Sequence, residues 1–318
     1  MFRYALKRLG LSVVTVAIVA TVVFFLTRIL PGDAAKRILG RDAEPEQLAA
    51  LREQLGLTRP LLVQFASWIG DLLRGDLGES IQYGMPVSEI LLPAIGYSAR
   101  LAGFAFALIV PVSIVAGVVA ALRRGRPIDR VITVGGLSTA VIPEFVWAVV
   151  FVLLFGVTLE WLPVTAFPDD PAAGPLEYLR HLLLPSLAIL LVLFGYIARI
   201  TRAGVIEALE SDYTRTAVLK GLPMRTAIRR HVLRNALLPT IAVIASQIPY
   251  LIGGLVAVEI VFAYPGFGSV LLDAVSQRDY PMLQAAVMLT SFVIVSFQLV
   301  ADLLFAILNP RIRTAVAE

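Results

Sequence analysis

Six long runs of apolar residues, separated by polar segments, dominate the chain. A helix needs about 20 mostly apolar residues to cross the hydrocarbon of a bilayer, where lipid offers the backbone no hydrogen-bond partner. The pattern lacks the short alternating segments that are typical of a membrane barrel. Six membrane-spanning helices are therefore predicted, over Leu9–Thr27, Leu101–Leu122, Val131–Leu159, Leu182–Ala198, Ala236–Val258 and Met282–Leu308.

Several of these runs contain a proline. Because proline has no backbone N–H, it frees a carbonyl one turn earlier and can bend or break its helix. Bent helices suit a bundle that lines a pore, although inert bundles contain them as well. The prolines are Pro111, Pro143, Pro185 and Pro249.

The composition agrees with an all-α integral membrane protein. Apolar residues make up 58% of the 318 residues and charged residues 16%, against about 45–50% and about 25% in soluble domains. The chain has no cysteine, and its two histidines, His181 and His231, are isolated. Disulfides and thiolate chemistry are excluded, and no metal site is predicted.

The basic residues predict the orientation of the spans. With the amino terminus taken as cytosolic, the inner segments carry 17 Lys and Arg, whereas the two short outer segments carry two. The long outer segment is not counted, because long loops are translocated largely regardless of charge. Both termini are predicted to lie in the cytosol. The resulting division is a cytosolic 1–8, a retained first span 9–27, an outer helical loop 28–100, and a core 101–318 with five spans.

The outer loop contains the pattern of two helices, separated around 57–60. In the second helix several apolar residues recur on one face, which suits packing on the span ends or a position along the membrane interface. A scaffold that packs on the spans and a surface that contacts the solute are both compatible with this pattern. The residues of the face are Leu61, Leu62, Phe65, Trp68, Ile69 and Leu72.

The polar segment between the fourth and fifth spans is strongly basic. Residues 213–239 hold six Lys or Arg, one His and no Asp or Glu. Ser211 is a favourable helix cap, Gly221 suits the left-handed position that ends a helix, and Pro223 is tolerated in the first turn of the next helix. The pattern predicts a helical hairpin over 211–235.

Like charges lie four residues apart in the second arm of this hairpin. The pairs Arg225/Arg229 and Arg230/Arg234 repel by a few tenths of a kcal/mol each, so a partner outside the chain is expected to compensate them. Anionic lipid headgroups and the groove of a cytosolic partner protein are equally compatible with the charge pattern. DNA binding is disfavoured, because two spans hold the hairpin at the membrane.

The segment DYTRTAVLKGLPMRTAIRRHVLRNALLPTI resembles the cytoplasmic coupling loop of inner-membrane permeases of binding-protein-dependent ABC transporters. It is most similar to the branch that imports dipeptides, oligopeptides, nickel and related solutes. The family signature is Glu-Ala-Ala, three residues, Gly, and a later Leu-Pro. Here Arg215, Thr216 and Ala217 precede Gly221, and Leu-Pro follows at 238–239 with the longer spacing of that branch.

Other motifs that resemble those of the permease family occur in the same order along the six spans. Each motif is weak alone, but their order along the chain is specific. Asn309 departs from the family, in which Asp usually precedes Pro-Arg. The motifs are LPGDAA, LGLTRPLLVQFASWIGDLLRGDLGES, HLLLPSLA, VEIVFAYPGFG, RDYPMLQAA and NPRIR.

The resemblance implies a type I ABC importer permease fold and a transport subunit rather than an enzyme. The implied partners are a second homologous permease subunit, two cytosolic ATP-binding subunits and an extracytoplasmic solute-binding protein, with no nucleic acid. No catalytic residue, metal or cofactor is expected in this chain. The resemblance assigns contact with the ATPase to Tyr213, Arg215, Thr216, Ala217, Lys220, Gly221, Leu222 and Arg225.

The sequence itself has no phosphate-binding loop. The lysine of such a loop must be followed by Ser or Thr, whereas Lys7, Lys36 and Lys220 are followed by Arg, Arg and Gly. ATP hydrolysis is therefore expected in separate subunits. The solute stays open among dipeptides, oligopeptides, nickel chelates and glutathione.

Two other functions are compatible with a multi-pass chain. An ion-coupled secondary transporter or channel would carry charges within its spans, where Glu144, Glu259 and Asp302 are the candidates. Pro143, Glu144 and Glu259 are the candidate residues of a translocation pathway, with structural pairing as the alternative role of the acids. A membrane hydrolase is disfavoured, because no His lies within a span and no span has two acids at helical spacing. The segment FAYPGFGSVLLDAVSQRDYP fits a short re-entrant helix at a pore mouth or a plain cap.

Overall fold

The computed structural model describes residues 2–29, 39–40, 44–54, 56–168, 170 and 172–308. The LPGDAA and NPRIR motifs, with Asn309, lie outside these residues. Within the described ranges the chain is helical and contains no strand, which confirms the all-α prediction. The helices are α1 (Phe2–Ile29), α2 (Pro45–Gln54), α3 (Leu61–Leu73), α4 (Val87–Leu122), α5 (Pro127–Ala140), α6 (Glu144–Thr158), α7 (Pro175–Glu210), α8 (Asp212–Leu219), α9 (Met224–Val261), α10 (Phe267–Ser276) and α11 (Tyr280–Leu308).

Five of these helices are long and apolar enough to cross a membrane, namely α1, α4, α7, α9 and α11. The bent pair α5 and α6 makes a sixth span if the two helices count as one. The six predicted spans are confirmed in that form. Helices α7 and α9 contain 36 and 38 residues and extend beyond the apolar runs that predicted them, because polar residues continue each helix at its ends.

The third predicted span is a broken helix rather than a continuous one. Helix α5 ends at Ala140, α6 begins at Glu144, and the two axes are bent by 101°. Pro143 lies at the break, where it offers no N–H to the carbonyl of Thr139. The other three prolines of the runs, Pro111, Pro185 and Pro249, lie inside continuous helices.

The chain divides into two compact units. We call them the loop unit (Gly10–Tyr97 and Gly266–Val295) and the hairpin unit (Met1–Leu9, Ser98–Pro265 and Ser296–Glu318). In the loop unit, Phe65 and Trp68 of α3 pack on Phe24 of α1, with ring centroids 5.2 and 5.5 Å apart. Leu61 and Leu62, which belong to the same predicted face, are exposed. The carboxyl-terminal part of the predicted α3 face thus packs on α1. This packing agrees with the scaffold alternative for the outer loop.

A buried carboxylate connects separate segments of the loop unit. Asp279 accepts hydrogen bonds from the hydroxyl of Ser80 and from the backbone N–H groups of Gln82 and Met282, the latter two at 3.2 Å. Asp279 and Ser80 are both buried. Because Asp279 directly precedes α11, the same side chain caps that helix and holds the end of the outer loop.

In the hairpin unit, α7 is packed against its neighbours through glycines. A Cβ at Gly117 would lie 2.5 Å from the carbonyl oxygen of Ala198, and one at Gly204 would lie 2.5 Å from that of Ala236. A Cβ at Gly195 would overlap the backbone of Gly136. Small residues allow close backbone approach, which is the usual basis of helix association in membranes. Helix α7 is therefore the central element of this unit.

We expect Gly195→Ala to destabilise the protein by about 1–3 kcal/mol, because overpacking a close contact costs that much. Thermal unfolding of the detergent-purified protein measures the effect. Gly103→Ala in α4 is the matched control, since a Cβ there meets nothing within 4 Å. The control should unfold at the wild-type temperature or slightly above it, because alanine favours helix. Equal unfolding temperatures for the two variants would contradict the close contact.

Candidate functional site: the 211–235 hairpin and the broken third span

The predicted hairpin is present, and a left-handed glycine makes its turn. Gly221 has a φ of +85°, and its N–H donates to the carbonyl of Val218 at 2.9 Å, while the N–H of Leu222 donates to that of Ala217 at 3.2 Å. This arrangement closes the end of α8 and confirms the predicted conformation of Gly221. Pro223 lies immediately before α9, one position earlier than the predicted first turn.

Two hydroxyl groups fix the corner between α7 and α8. Ser211 and Thr214 donate to the carbonyl of Ala208, at 2.6 and 2.7 Å. The expected cap at Ser211 is correct in position but not in bonding, because its hydroxyl satisfies a carbonyl of the preceding helix instead of an N–H of α8. The last carbonyls of a helix lack intrahelical partners, so both hydroxyls have an acceptor available. The corner between α7 and α8 is thereby closed by side-chain hydrogen bonds.

The second arm of the hairpin is continuous with the fifth span. Helix α9 runs from Met224 to Val261, with a π-helical turn over Ile228–Val232. An apolar cluster joins this arm to α7 and to the end of α4. Its buried members are Ala121, Val205, Ala208, Val232 and Ala236. The hairpin therefore lies between two long helices that are packed on each other.

The π-helical turn changes the arrangement of the basic residues in this arm. The predicted i,i+4 stacking of Arg225/Arg229 and Arg230/Arg234 assumes a regular α-helix, whereas each pair has a member inside or beyond the turn. All four arginines are exposed. Within the described residues none of them forms an ion pair, which leaves their charge available to a partner.

Most residues of the candidate ATPase contact lie on the surface of the hairpin, and two do not. Ala217 is only 7% exposed and Leu222 is half-buried. The small side chain of Ala217 therefore packs within the chain. The exposed members are Tyr213, Arg215, Thr216, Lys220, Gly221 and Arg225.

Two apolar residues on the same surface were missed by the sequence reasoning. Leu219 is 78% exposed and Val218 is 39% exposed. The signal for them is an apolar pair directly before Lys-Gly on an otherwise polar helix. Exposed apolar side chains beside arginines form the kind of surface that protein interfaces use.

At the break in the third span, a tryptophan replaces the donor that Pro143 lacks. The indole N–H of Trp147 donates to the carbonyl of Thr139 at 3.1 Å. The N–H of Ile142 reaches the same carbonyl at 3.3 Å. Since an unsatisfied carbonyl in hydrocarbon costs several kcal/mol, these two bonds allow the helix to break inside a span. The carbonyl that the bend frees is thus hydrogen-bonded.

The Glu144 carboxylate lies at this break. It begins α6, is half-buried, and contacts the surface of α9 at Gly254, where a Cβ would lie 3.1 Å from its Oε1 atom. Tyr250 lies one turn before Gly254 on the same face of α9. Within the described residues no hydrogen bond or ion pair involves this carboxylate.

The other acids of the spans have partners. Glu259 is 1% exposed and accepts a hydrogen bond from the Ser98 hydroxyl at 2.5 Å. Asp302 forms an ion pair with Arg8 at 3.1 Å. The structure thus gives both acids the structural pairing that was the alternative to a pathway role. No group of three or more potential metal-ligating acids or histidines occurs among the described residues.

An ion pair near the hairpin, between a buried aspartate and a half-buried arginine, had no signal in the sequence. The guanidinium of Arg202 on α7 holds the carboxylate of Asp129 on α5 through two bonds of 2.6 and 2.9 Å. The residues are separated by 73 positions in the sequence. Sequence periodicity cannot connect them, because the hydrophobic pattern of one helix does not indicate which other helix packs against it.

Comparison with known proteins defines the class of this chain. Residues 113–314 match the family described as "Binding-protein-dependent transport system inner membrane component", and residues 1–110 match "Binding-prot-dependent transport system membrane comp, N-term". The chain belongs to this family of ABC transporter permeases, and it is a multi-pass transport subunit of the inner membrane. A crystal structure of an amino acid ABC transporter with histidines has the same fold, with a TM-score of 0.52 at 14% identity over 69% of this chain and 94% of that one.

Among curated proteins the chain is similar to permeases over nearly its whole length. It is 36% identical to a probable peptide ABC transporter permease of Sinorhizobium fredii and 34% identical to a di/tripeptide transport permease, DppB, of Pseudomonas aeruginosa. It is 37% identical to a glutathione transport permease, GsiC, of Salmonella choleraesuis. Each alignment covers 98% of this chain and 99% of the relative.

We expect Trp147→Phe to destabilise the protein by about 0.5–1.5 kcal/mol, because the Thr139 carbonyl loses its indole donor and keeps only the N–H of Ile142. Thermal unfolding in detergent measures the loss. Trp161→Phe is the matched control, since Trp161 is exposed and its backbone, not its indole, makes its hydrogen bond. A Trp147 variant as stable as the control would contradict the account of the break.

Proposed function

We propose that the chain is one of two permease subunits of a peptide importer and that its hairpin receives the movement of cytosolic ATPases. The observation that carries this proposal is the form of the hairpin: an exposed basic and apolar surface held by bonded, packed contacts between two long helices. A rigid connection of this kind passes on a rigid-body displacement. Membership of the permease family supports it.

The ATPase contact would use the exposed face of the hairpin. Tyr213, Arg215, Thr216, Lys220 and Arg225 offer aromatic and basic groups, and Leu219 adds an apolar one. The left-handed Gly221 shapes the tip, while the buried Ala217 and half-buried Leu222 support it from within the chain. The arginines require acidic groups on the partner, since they have no ion pairs among the described residues.

ATP would be bound by two separate cytosolic subunits, because this chain lacks a phosphate-binding loop. The hairpin and both termini would face the cytosol, as the 17 to 2 contrast in basic residues favours. The remaining partners are a second homologous permease subunit and an extracytoplasmic solute-binding protein. The names of the similar permeases support a di- or tripeptide or glutathione as the solute.

The solute pathway would pass the break in the third span, beside Pro143 and Glu144. An intramembrane acid without a partner is expensive, so a cationic group of the solute is the partner that we assign to Glu144. The amino terminus of a peptide provides that group. Glu259, buried and bonded to Ser98, would support the outer end of α9 and would not touch the solute.

For the ATPase contact, we expect Arg215→Glu and Gly221→Pro to abolish stimulation of ATPase activity by the loaded binding protein. Reversal of the charge sets like charges against the partner, and proline cannot adopt a φ of +85°. Proteoliposomes with the assembled transporter measure stimulated ATPase activity and uptake. Arg215→Lys keeps the charge and should keep most of the activity. Wild-type rates in the Glu and Pro variants would remove the hairpin from this role.

For the pathway, we expect Glu144→Gln to lower uptake of a dipeptide with a free amino terminus about tenfold or more, because a hydrogen bond to a charged group contributes about 1.5–3 kcal/mol. Uptake of the N-acetylated dipeptide should be unchanged by the substitution. Glu177→Gln, at an exposed position of α7, is the control. An equal loss for both peptides would instead indicate that Glu144 pairs with the second permease subunit.

A further inference from the structure

The Asp129–Arg202 ion pair is built with more contacts than a surface pair. Besides both guanidinium bonds, the Asp129 carboxylate accepts the N–H of Gly125 at 2.8 Å and the hydroxyl of Thr133 at 3.3 Å. Asp129 is buried, although it lies in a charged segment next to the hairpin. The Arg202 side chain is half-buried. An ion pair that is at least partly buried seldom adds much net stability over an apolar pair, whereas its directional bonds fix geometry. This pair therefore suits a positioning role.

The pair lies at one end of a continuous contact between α5 and α7. Farther along the same two antiparallel helices, Gly136 meets Gly195 through backbone contact. At the far end the hydroxyl of Thr139 donates to the carbonyl of Leu191 at 2.8 Å. Three contacts at successive levels oppose sliding of α5 on α7.

Each of the two helices continues into a site with a proposed function. Helix α7 ends at the corner that Ser211 and Thr214 fix, so the hairpin is an extension of α7. Helix α5 ends at the break that contains Pro143, where α6 begins. A second ion pair, Arg124–Glu210 at 2.6 Å, joins the same segments, but both side chains are mostly exposed and contribute little.

We infer that the Asp129–Arg202 ion pair is the positioning contact that makes α5, α7 and the hairpin move as one body, so that movement of the hairpin reaches the break in the third span. The inference rests on the proposed role of the hairpin. Without the pair, the hairpin end of α5 separates from α7 while the Gly136–Gly195 contact persists. ATP hydrolysis then continues without the matching rearrangement of the span.

Uptake per ATP hydrolysed in proteoliposomes with the assembled transporter tests this inference. We expect Arg202→Gln to retain ATPase stimulation by the loaded binding protein while uptake of a labelled dipeptide per ATP falls at least about fivefold, the lower range of a coupling free energy. The reversed pair, Asp129→Arg with Arg202→Asp, should recover part of the loss. Arg74→Gln, in an exposed pair with Asp71, is the matched control and should have no effect. If the pair only stabilised the fold, ATPase and uptake would fall in proportion.

A distance measurement tests the same inference without any solute. The chain has no native cysteine, so spin labels can be attached at Val134→Cys on α5 and Glu207→Cys on α7, both exposed. In the assembled transporter the distance between the labels should not change when a non-hydrolysable ATP analogue binds. With Arg202→Gln added, it should change or broaden. A wild-type distance that changes with nucleotide, or a variant identical to wild type, would overturn the inference. The proposed function fails separately, if no ATP-binding subunit co-purifies with the chain.

Discussion

Backbone carbonyls that a helix end or a helix break leaves without an N–H partner must find another donor, and this requirement governs both the corner before the hairpin and the broken third span. A chain in hydrocarbon can turn or break only where a side chain or a special backbone conformation satisfies the freed groups. Here the indole of Trp147 does so at the break of the third span. At the corner before the hairpin, outside the span, the hydroxyls of Ser211 and Thr214 bond a carbonyl at the end of α7. Both features are therefore held by hydrogen bonds. A bonded corner and a bonded bend suit the transmission of movement that we propose.

Helix α7 connects these features. Glycines at its contacts with α4, α5 and α9 bring backbones together, so the helix is held by van der Waals packing over much of its length. Its carboxyl end carries the hairpin, and its packed partner α5 leads to the break. The exposed arginines of the hairpin would supply charge to the proposed partner, while the Glu144 carboxylate has no bond among the described residues. The two proposed sites are chemically different, yet the same pair of helices leads to both.

The sequence predicted the parts of this arrangement that follow from local chemistry. The spans follow from the apolar runs, the hairpin from its Gly and Pro, and the left-handed turn from Gly221. The helix break was foreseen only as a property shared by four prolines, and Pro143 alone produces it among them. The surroundings of each proline decide whether the helix breaks there. The other three prolines lie inside helices that continue through them, whereas Trp147 donates to the Thr139 carbonyl that Pro143 cannot bond.

Other features could not be predicted, because their partners are distant in the sequence or buried by tertiary packing. The bond between Asp129 and Arg202 joins two helices, and the burial of Ala217 depends on how α8 folds back on its own chain. Ala217 matched a motif position that suggested contact with a partner. In the structure its small side chain is buried within the chain. The neighbouring Leu219, which no motif singled out, is the most exposed of the large apolar side chains on that helix.

The central claim is that an ATP-binding subunit binds the hairpin. Photo-cross-linking in intact cells tests this claim most directly. A photoreactive amino acid at Leu219, which is 78% exposed on the hairpin, should form a covalent adduct with the ATP-binding subunit. The same amino acid at Leu73, exposed at the end of α3 in the outer loop, should not. An adduct from Leu73 but not from Leu219, or adducts of Leu219 with lipid alone, would contradict the account.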